Sequence, residues 1–210
     1  MKVMTGEEFS AASFRERAAR ESGEGDQRGY GDHVLNADII QRLAQKPLRD
    51  AAVLVPLVDH GSHTDILLTL RTANLRTHSG QVAFPGGAID PEDGSAEVAA
   101  MREAEEEIGL PRAYVEPVGR LPQYLTVSGF RITPVLAVVR ENYPMHINQH
   151  EVEDAFEVPF PFLMDPANHM RESRVWEGKE RHFYTMPYGE RYIWGVTAGI
   201  LRTLYERLYA

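Results

Sequence analysis

Four glutamates stand within five positions, Glu103, Glu105, Glu106 and Glu107, in the run Arg102-Glu103-Ala104-Glu105-Glu106-Glu107-Ile108-Gly109-Leu110. On a helix, Glu103, Glu106 and Glu107 fall at i, i+3 and i+4 and share one face. Like charges at those spacings each destabilise an isolated helix by roughly 0.2–0.5 kcal/mol. A cluster this dense is suited to a hard divalent cation, Mg2+ or Mn2+, whose preferred ligands are carboxylate oxygens. The bland alternative is a solvated acidic helix face, the usual fate of such a run.

The segment before the run favours a site. Phe84-Pro85-Gly86-Gly87 reads as a loop, and Asp90-Pro91-Glu92-Asp93-Gly94 as a polar turn. Ser95 can cap a helix whose first turn is Ala96, Glu97 and Val98. Ala104 and Ile108, with Met101 beside them, give that helix a core-facing stripe turned away from the carboxylates. Gly109 supplies the stop and Pro111 prevents continuation. The expected unit is loop, helix and stop, with an acidic face turned toward a glycine-rich loop.

From Gly87 to Leu110 the chain resembles the signature of the Nudix hydrolases: Gly, five residues, Glu, seven residues, then Arg-Glu-U-x-Glu-Glu-x-Gly-U, where U is aliphatic. Arg102 to Leu110 match every fixed position of the second half. The first half departs, because Asp93 takes the place of the first Glu and eight residues separate it from Arg102. Asp93→Asn is therefore expected to lower activity modestly at most. Upstream, Leu67-Leu68-Thr69-Leu70-Arg71 and Leu75-Arg76-Thr77-His78-Ser79-Gly80-Gln81-Val82-Ala83-Phe84-Pro85-Gly86-Gly87 are similar to the extra motif of the coenzyme A pyrophosphatase branch. Tyr192 to Leu201 also resembles that branch. Together the matches span about residues 65 to 201.

What the resemblance implies is a metal-dependent pyrophosphohydrolase with Mg2+ or Mn2+ as cofactor. Position by position, Glu103 and Glu107 match the principal metal ligands and Glu106 a third. The backbone oxygen of Gly87, or of Gly86, is a further candidate, since glycine lets the backbone approach an ion closely. Arg102 reaches Glu106 at i+4 and orients it. For the base, Glu151 in Gln149-His150-Glu151-Val152-Glu153-Asp154 aligns best, and Glu106 and Glu151 are the expected catalytic acids. Arg71, Arg76 and His78 are the expected substrate-binding residues, with cationic groups suited to phosphate.

Composition narrows the class. The chain has 210 residues, 43% of them hydrophobic and 25% charged, as expected of one globular domain. It has no cysteine, which excludes disulfides, thiolate zinc sites and cysteine nucleophiles. No apolar run approaches the ~18 residues needed to span a bilayer, and the start has no signal-peptide core, so a cytoplasmic protein is expected. A net charge of −9 argues against nucleic acid as a partner. It also repels an anionic substrate, unless cations held by the glutamates create a local positive patch.

Residues 1–34 read as a polar, loosely packed arm and 35–210 as the Nudix domain. Strands are expected at 51–58, 65–70, 81–84, 118–125, 132–139 and 155–159, with a short helix at 37–43. An amphipathic helix is expected over Tyr192–Tyr209, carrying Trp194, Thr197, Leu201, Leu204 and Leu208 at helical spacing. This pattern suggests the α/β class, and specifically a Nudix-type α/β/α sandwich with a mixed sheet. Three functions fit: hydrolysis of coenzyme A or its thioesters, hydrolysis of another nucleoside diphosphate derivative such as ADP-ribose or a dinucleotide, or a sensing module that has lost turnover. The repulsive glutamate cluster argues against the last.

Overall fold

The structure is a computed structural model that describes residues 6–24, 29–43, 47–73, 79–176 and 178–210. In chain order its elements are α1 (Ala11–Arg20), β1 (Tyr30–Gly31), α2 (Ile39–Leu43), β2 (Arg49–Asp59), β3 (Thr64–Arg71), β4 (Val82–Ala83) and β5 (Gly86–Ala88). There follow α3 (Ala96–Ile108), β6 (Val115–Arg120), β7 (Tyr124–Leu125), β8 (Phe130–Arg140), β9 (Val152–Pro159) and α4 (Phe160–Met164). Strands β10 (Met170–Trp176), β11 (Lys179–Tyr188) and β12 (Arg191–Trp194) and helix α5 (Gly195–Leu208) complete the chain.

A mixed sheet forms the centre. β2 runs parallel to β8 over their full lengths and antiparallel to β3, while β9 adds to the other side of β3. Alternation along the central strands splits the apolar residues between two faces. Val55 and Leu57 of β2, Ile66 and Leu68 of β3, and Leu136 and Val138 of β8 pack with α1, α4 and α5. Leu54 and Val58, Leu67, and Val135, Ala137 and Val139 pack with Ala96, Ala99, Ala100, Ala104 and Ile108 of α3. The four alanines let α3 lie close against the sheet. The result is the expected α/β/α sandwich.

The acidic helix forms where expected. The Ser95 hydroxyl accepts a hydrogen bond from the Val98 N–H at 3.3 Å, and Gly109 closes the helix in the left-handed conformation at φ +67°. The Gly109 N–H donates to the Glu105 carbonyl at 2.9 Å, the αL closure, and a β-carbon at position 109 would be strained in that conformation.

Two readings of the sequence are corrected, and one element was not read at all. Residues 6–24 are no loose arm: Ser10 caps α1, and Phe9, Ala11, Phe14 and Ala18 are buried, with Phe14 edge-on to Phe160 at 5.7 Å. Few apolar groups lie in that stretch, but they share one helix face. Tyr192–Trp194 form strand β12 rather than the first turn of the last helix, and Trp194, extended at φ −152°, is the residue before α5. The hairpin of β10 and β11 was not anticipated, because β10 is almost wholly exposed and so has no apolar alternation to reveal it.

Candidate active site: an acidic helix between two arginines

The sheet and α3 bring together residues that are distant in sequence. Glu107 is buried, its side chain 2% exposed. Its Oε1 accepts from Arg71 Nη1 at 3.2 Å, at the end of β3, and its Oε2 from the Gly86 N–H at 3.2 Å. Burial nevertheless dominates and pushes the carboxyl up to about 7; Arg71 and the Gly86 N–H oppose the shift, while Glu103 and Glu151 add to it. Glu103 is also raised, first by desolvation and further by Glu106 and Glu151, against the pull of Arg102. Gly87 sits against the Glu103 carboxyl: a β-carbon there would lie 2.5 Å from Cδ. The glycine makes room for that close approach.

Arg102 organises the other half. Its Nε and Nη2 donate to the two oxygens of Asp93 at 2.8 and 2.9 Å, a bidentate fork, and Nη2 also reaches the Ala88 carbonyl. Its Nη1 donates to Glu103 at 2.9 Å and to Glu106 at 3.1 Å. The expected i+4 contact is therefore present, but the principal partner is Asp93. That carboxyl is buried and held down at about 2, chiefly by the Arg102 hydrogen bonds. Asp93 stands in the turn before Ser95, where its N–H bonds the Asp90 carbonyl, and it is there the anchor of Arg102. Glu105 points elsewhere, to Arg112.

Glu151 arrives from the loop before β9. That loop is docked on the C-terminal end of α3, where the His146 and Asn148 N–H groups donate to the carbonyls of Ile108 and Glu107, both at 2.9 Å. The Asn148 side chain donates to Glu151 Oε1 at 3.3 Å. Asn148 was missed from sequence, since nothing in its neighbourhood marks a loop asparagine as an anchor. Arg76 and His78 lie outside the described residues.

The carboxylates fit a divalent cation by donor chemistry. Glu103, Glu106, Glu107 and Glu151 are oxygen donors, and the strongest shifts among them arise from burial and mutual repulsion. In this structure Glu103 and Glu106 rest on Arg102, Glu107 on Arg71 and Glu151 on Asn148.

Residues 47–177 match the family model described as the NUDIX domain. The chain belongs to the Nudix family. It is 40% identical over 156 residues to the protein named "Uncharacterized Nudix hydrolase NudL" of Citrobacter koseri, covering 74% of this chain and 81% of that one. With the NudL protein of Klebsiella pneumoniae it shares 39% identity over 183 residues, 82% of this chain and 95% of that one. The Nudix domain of Shewanella oneidensis NrtR, solved with ADP ribose, superposes with a TM-score of 0.50 at 18% identity, over 82% of this chain and 98% of that one. That likeness bears on the fold alone. As a Nudix hydrolase the protein acts on nucleoside diphosphate derivatives, chemistry for which the family generally uses divalent ions such as Mg2+ or Mn2+. None of the described helices is long and apolar enough to cross a membrane.

Proposed function

We propose that this Nudix hydrolase is a cytoplasmic coenzyme A pyrophosphatase, splitting coenzyme A or its thioesters into 3′,5′-ADP and 4′-phosphopantetheine. The observation that carries the reading is the contact from Arg71 to buried Glu107. Arg71 belongs to the stretch that resembles the coenzyme A branch motif, and Glu107 to the acidic helix, so the two motifs meet in one site.

Water adds at one phosphorus of the diphosphate, the bridging oxygen leaves with the other phosphate, and the water proton passes to a carboxylate. Glu103, Glu106 and Glu107, Glu151 and the carbonyl of Gly87 are the groups that would hold a divalent ion. When bound, such an ion neutralises diphosphate charge and lowers the pKa of water. Glu106 is more than half exposed and Glu151 is partly so, which leaves both accessible to take the proton. Arg102, fixed by Asp93, orients Glu103 and Glu106. Arg71 holds Glu107 and presents a cation to the anionic substrate, joined in this reading by Arg76 and His78 at the 3′-phosphate.

Turnover of coenzyme A, 3′-dephospho-coenzyme A, ADP-ribose and a dinucleotide in Mg2+ tests this. Coenzyme A should give the highest kcat/KM. Arg76→Ala should raise KM for coenzyme A more than for the dephospho form, by up to about one to two decades if a charge-assisted contact worth roughly 1.5–3 kcal/mol is lost. Faster hydrolysis of ADP-ribose, the ligand of the similar NrtR domain, would overturn the substrate and leave the Nudix hydrolase standing.

A further inference from the structure

A second group of side chains with metal-ligating atoms stands at the far end of β3. His60 and His63, in the turn between β2 and β3, and Asp65, at the start of β3, bring one ligand atom each within 4.8 Å of one another. Asp65 Oδ2 lies 3.9 Å from His60 Nε2 and 3.6 Å from His63 Nε2. Ligands about 2.0–2.2 Å from a tetrahedral ion stand roughly 3.3–3.6 Å apart, so small movements of these side chains close the site. The turn supports the grouping: the His60 N–H donates to the His63 carbonyl at 3.1 Å, and the two rings stack with centroids 4.7 Å apart.

Charge favours a cation there. Asp65 and Glu157 lie on the neighbouring strands β3 and β9, with Glu157 Oε2 2.5 Å from His60 Nε2 and its Oε1 accepting from the Tyr143 hydroxyl at 3.0 Å. Among the described residues no lysine or arginine ion pair reaches Asp65 or Glu157. The Asp65 carboxyl is raised by burial first and by Glu157 further, against the pull of His63 and His60. This contrasts with the acidic helix, where arginines offset the acids. Asp65 and Arg71 are six residues apart on β3, which at about 3.3 Å per residue puts the two sites roughly 20 Å apart.

We propose that His60, His63 and Asp65 bind a borderline divalent ion of the Zn2+, Ni2+ or Co2+ type, with Glu157 giving up His60 Nε2 to the ion. Two imidazoles with one carboxylate suit these ions and not Mg2+, which takes oxygen donors. Occupancy pins the β2–β3 turn, and the site is separate from the hydrolytic centre.

Zn2+ titration calorimetry on the untagged full chain in millimolar Mg2+, with Co2+ absorption in the visible as a second probe, tests it. One equivalent of Zn2+ should bind. His60→Ala and His63→Ala should each weaken it at least tenfold, while exposed His150→Ala should not. Zn2+ should also raise the thermal midpoint of the unmodified protein but not of the double variant His60→Ala/His63→Ala. The His63 side chain is mostly exposed, so that single variant should keep its fold and its Mg2+-dependent hydrolysis. No Zn2+ uptake in excess Mg2+, or full uptake by the double variant, overturns the proposal.

Discussion

Asp93 and Glu107 are both buried acids that meet an arginine within one site, yet their carboxyls shift in opposite directions. Asp93 is held at about 2 and Glu107 is pushed up to about 7. For Glu107 desolvation by burial dominates, and for Asp93 the hydrogen bonds from Arg102 do. Arg102 grips Asp93 with two short prongs at 2.8 and 2.9 Å, whereas Arg71 gives Glu107 a single contact at 3.2 Å and Glu103 and Glu151 repel it. The charge of Asp93 is thus satisfied by the protein and its part is scaffolding. The charge of Glu107 is only partly offset by Arg71, as the proposed metal site requires.

The largest expected effect separates these two parts. Glu107→Gln and Glu103→Gln each replace a charged oxygen ligand by an amide of equal size, and turnover should fall about a hundredfold or more at saturating Mg2+ with the fold unchanged. Steady-state rates and circular dichroism check this, and full activity in either variant would remove that residue from the metal site. Asp93→Asn should do the reverse. Its turnover should fall by about tenfold or less, while its thermal midpoint drops by more than that of Glu107→Gln, because Arg102 loses a bidentate, charged partner inside the protein. A loss of turnover equal to that of Glu107→Gln would erase the distinction.

A smaller effect concerns pH. The folded carboxyl of Glu107 titrates near 7 against an ordinary 4.5. Between those values the folded chain holds a proton that the unfolded chain has released. The stability this group contributes is therefore present below about pH 4.5 and is lost as pH rises through 7. Glu107→Gln should match the unmodified protein near pH 4.5 and exceed it in thermal midpoint at pH 8, both in chelator. An equal midpoint at pH 8 would show that Arg71 already satisfies the charge.

Much of this site was legible because its signals are local. Ser95, the stripe of Ala104 and Ile108, Gly109 and the glutamate spacing lie within one helix and its ends, where the 3.6-residue period speaks directly. The pairing of Arg71 with Glu107 and the docking of Asn148 on α3 join segments far apart in sequence, and only the sheet brings them together. The fork from Arg102 to Asp93 was not read from the sequence because it closes across the turn before Ser95 and not along the helix. The β10–β11 hairpin and the packed α1 were hidden for a related reason: one has almost no buried face, and the other buries its few apolar groups at wide helical spacing.

The most direct measurement is Mn2+ binding, followed by electron paramagnetic resonance in the absence of substrate, for the unmodified protein, Glu107→Gln and Asp93→Asn. The only partly offset charge of Glu107 predicts that Glu107→Gln weakens Mn2+ binding at least tenfold, while Asp93→Asn changes it by no more than about threefold. Equal affinity in Glu107→Gln and the unmodified protein would contradict the account, as would an Asp93→Asn defect as large as that of Glu107→Gln.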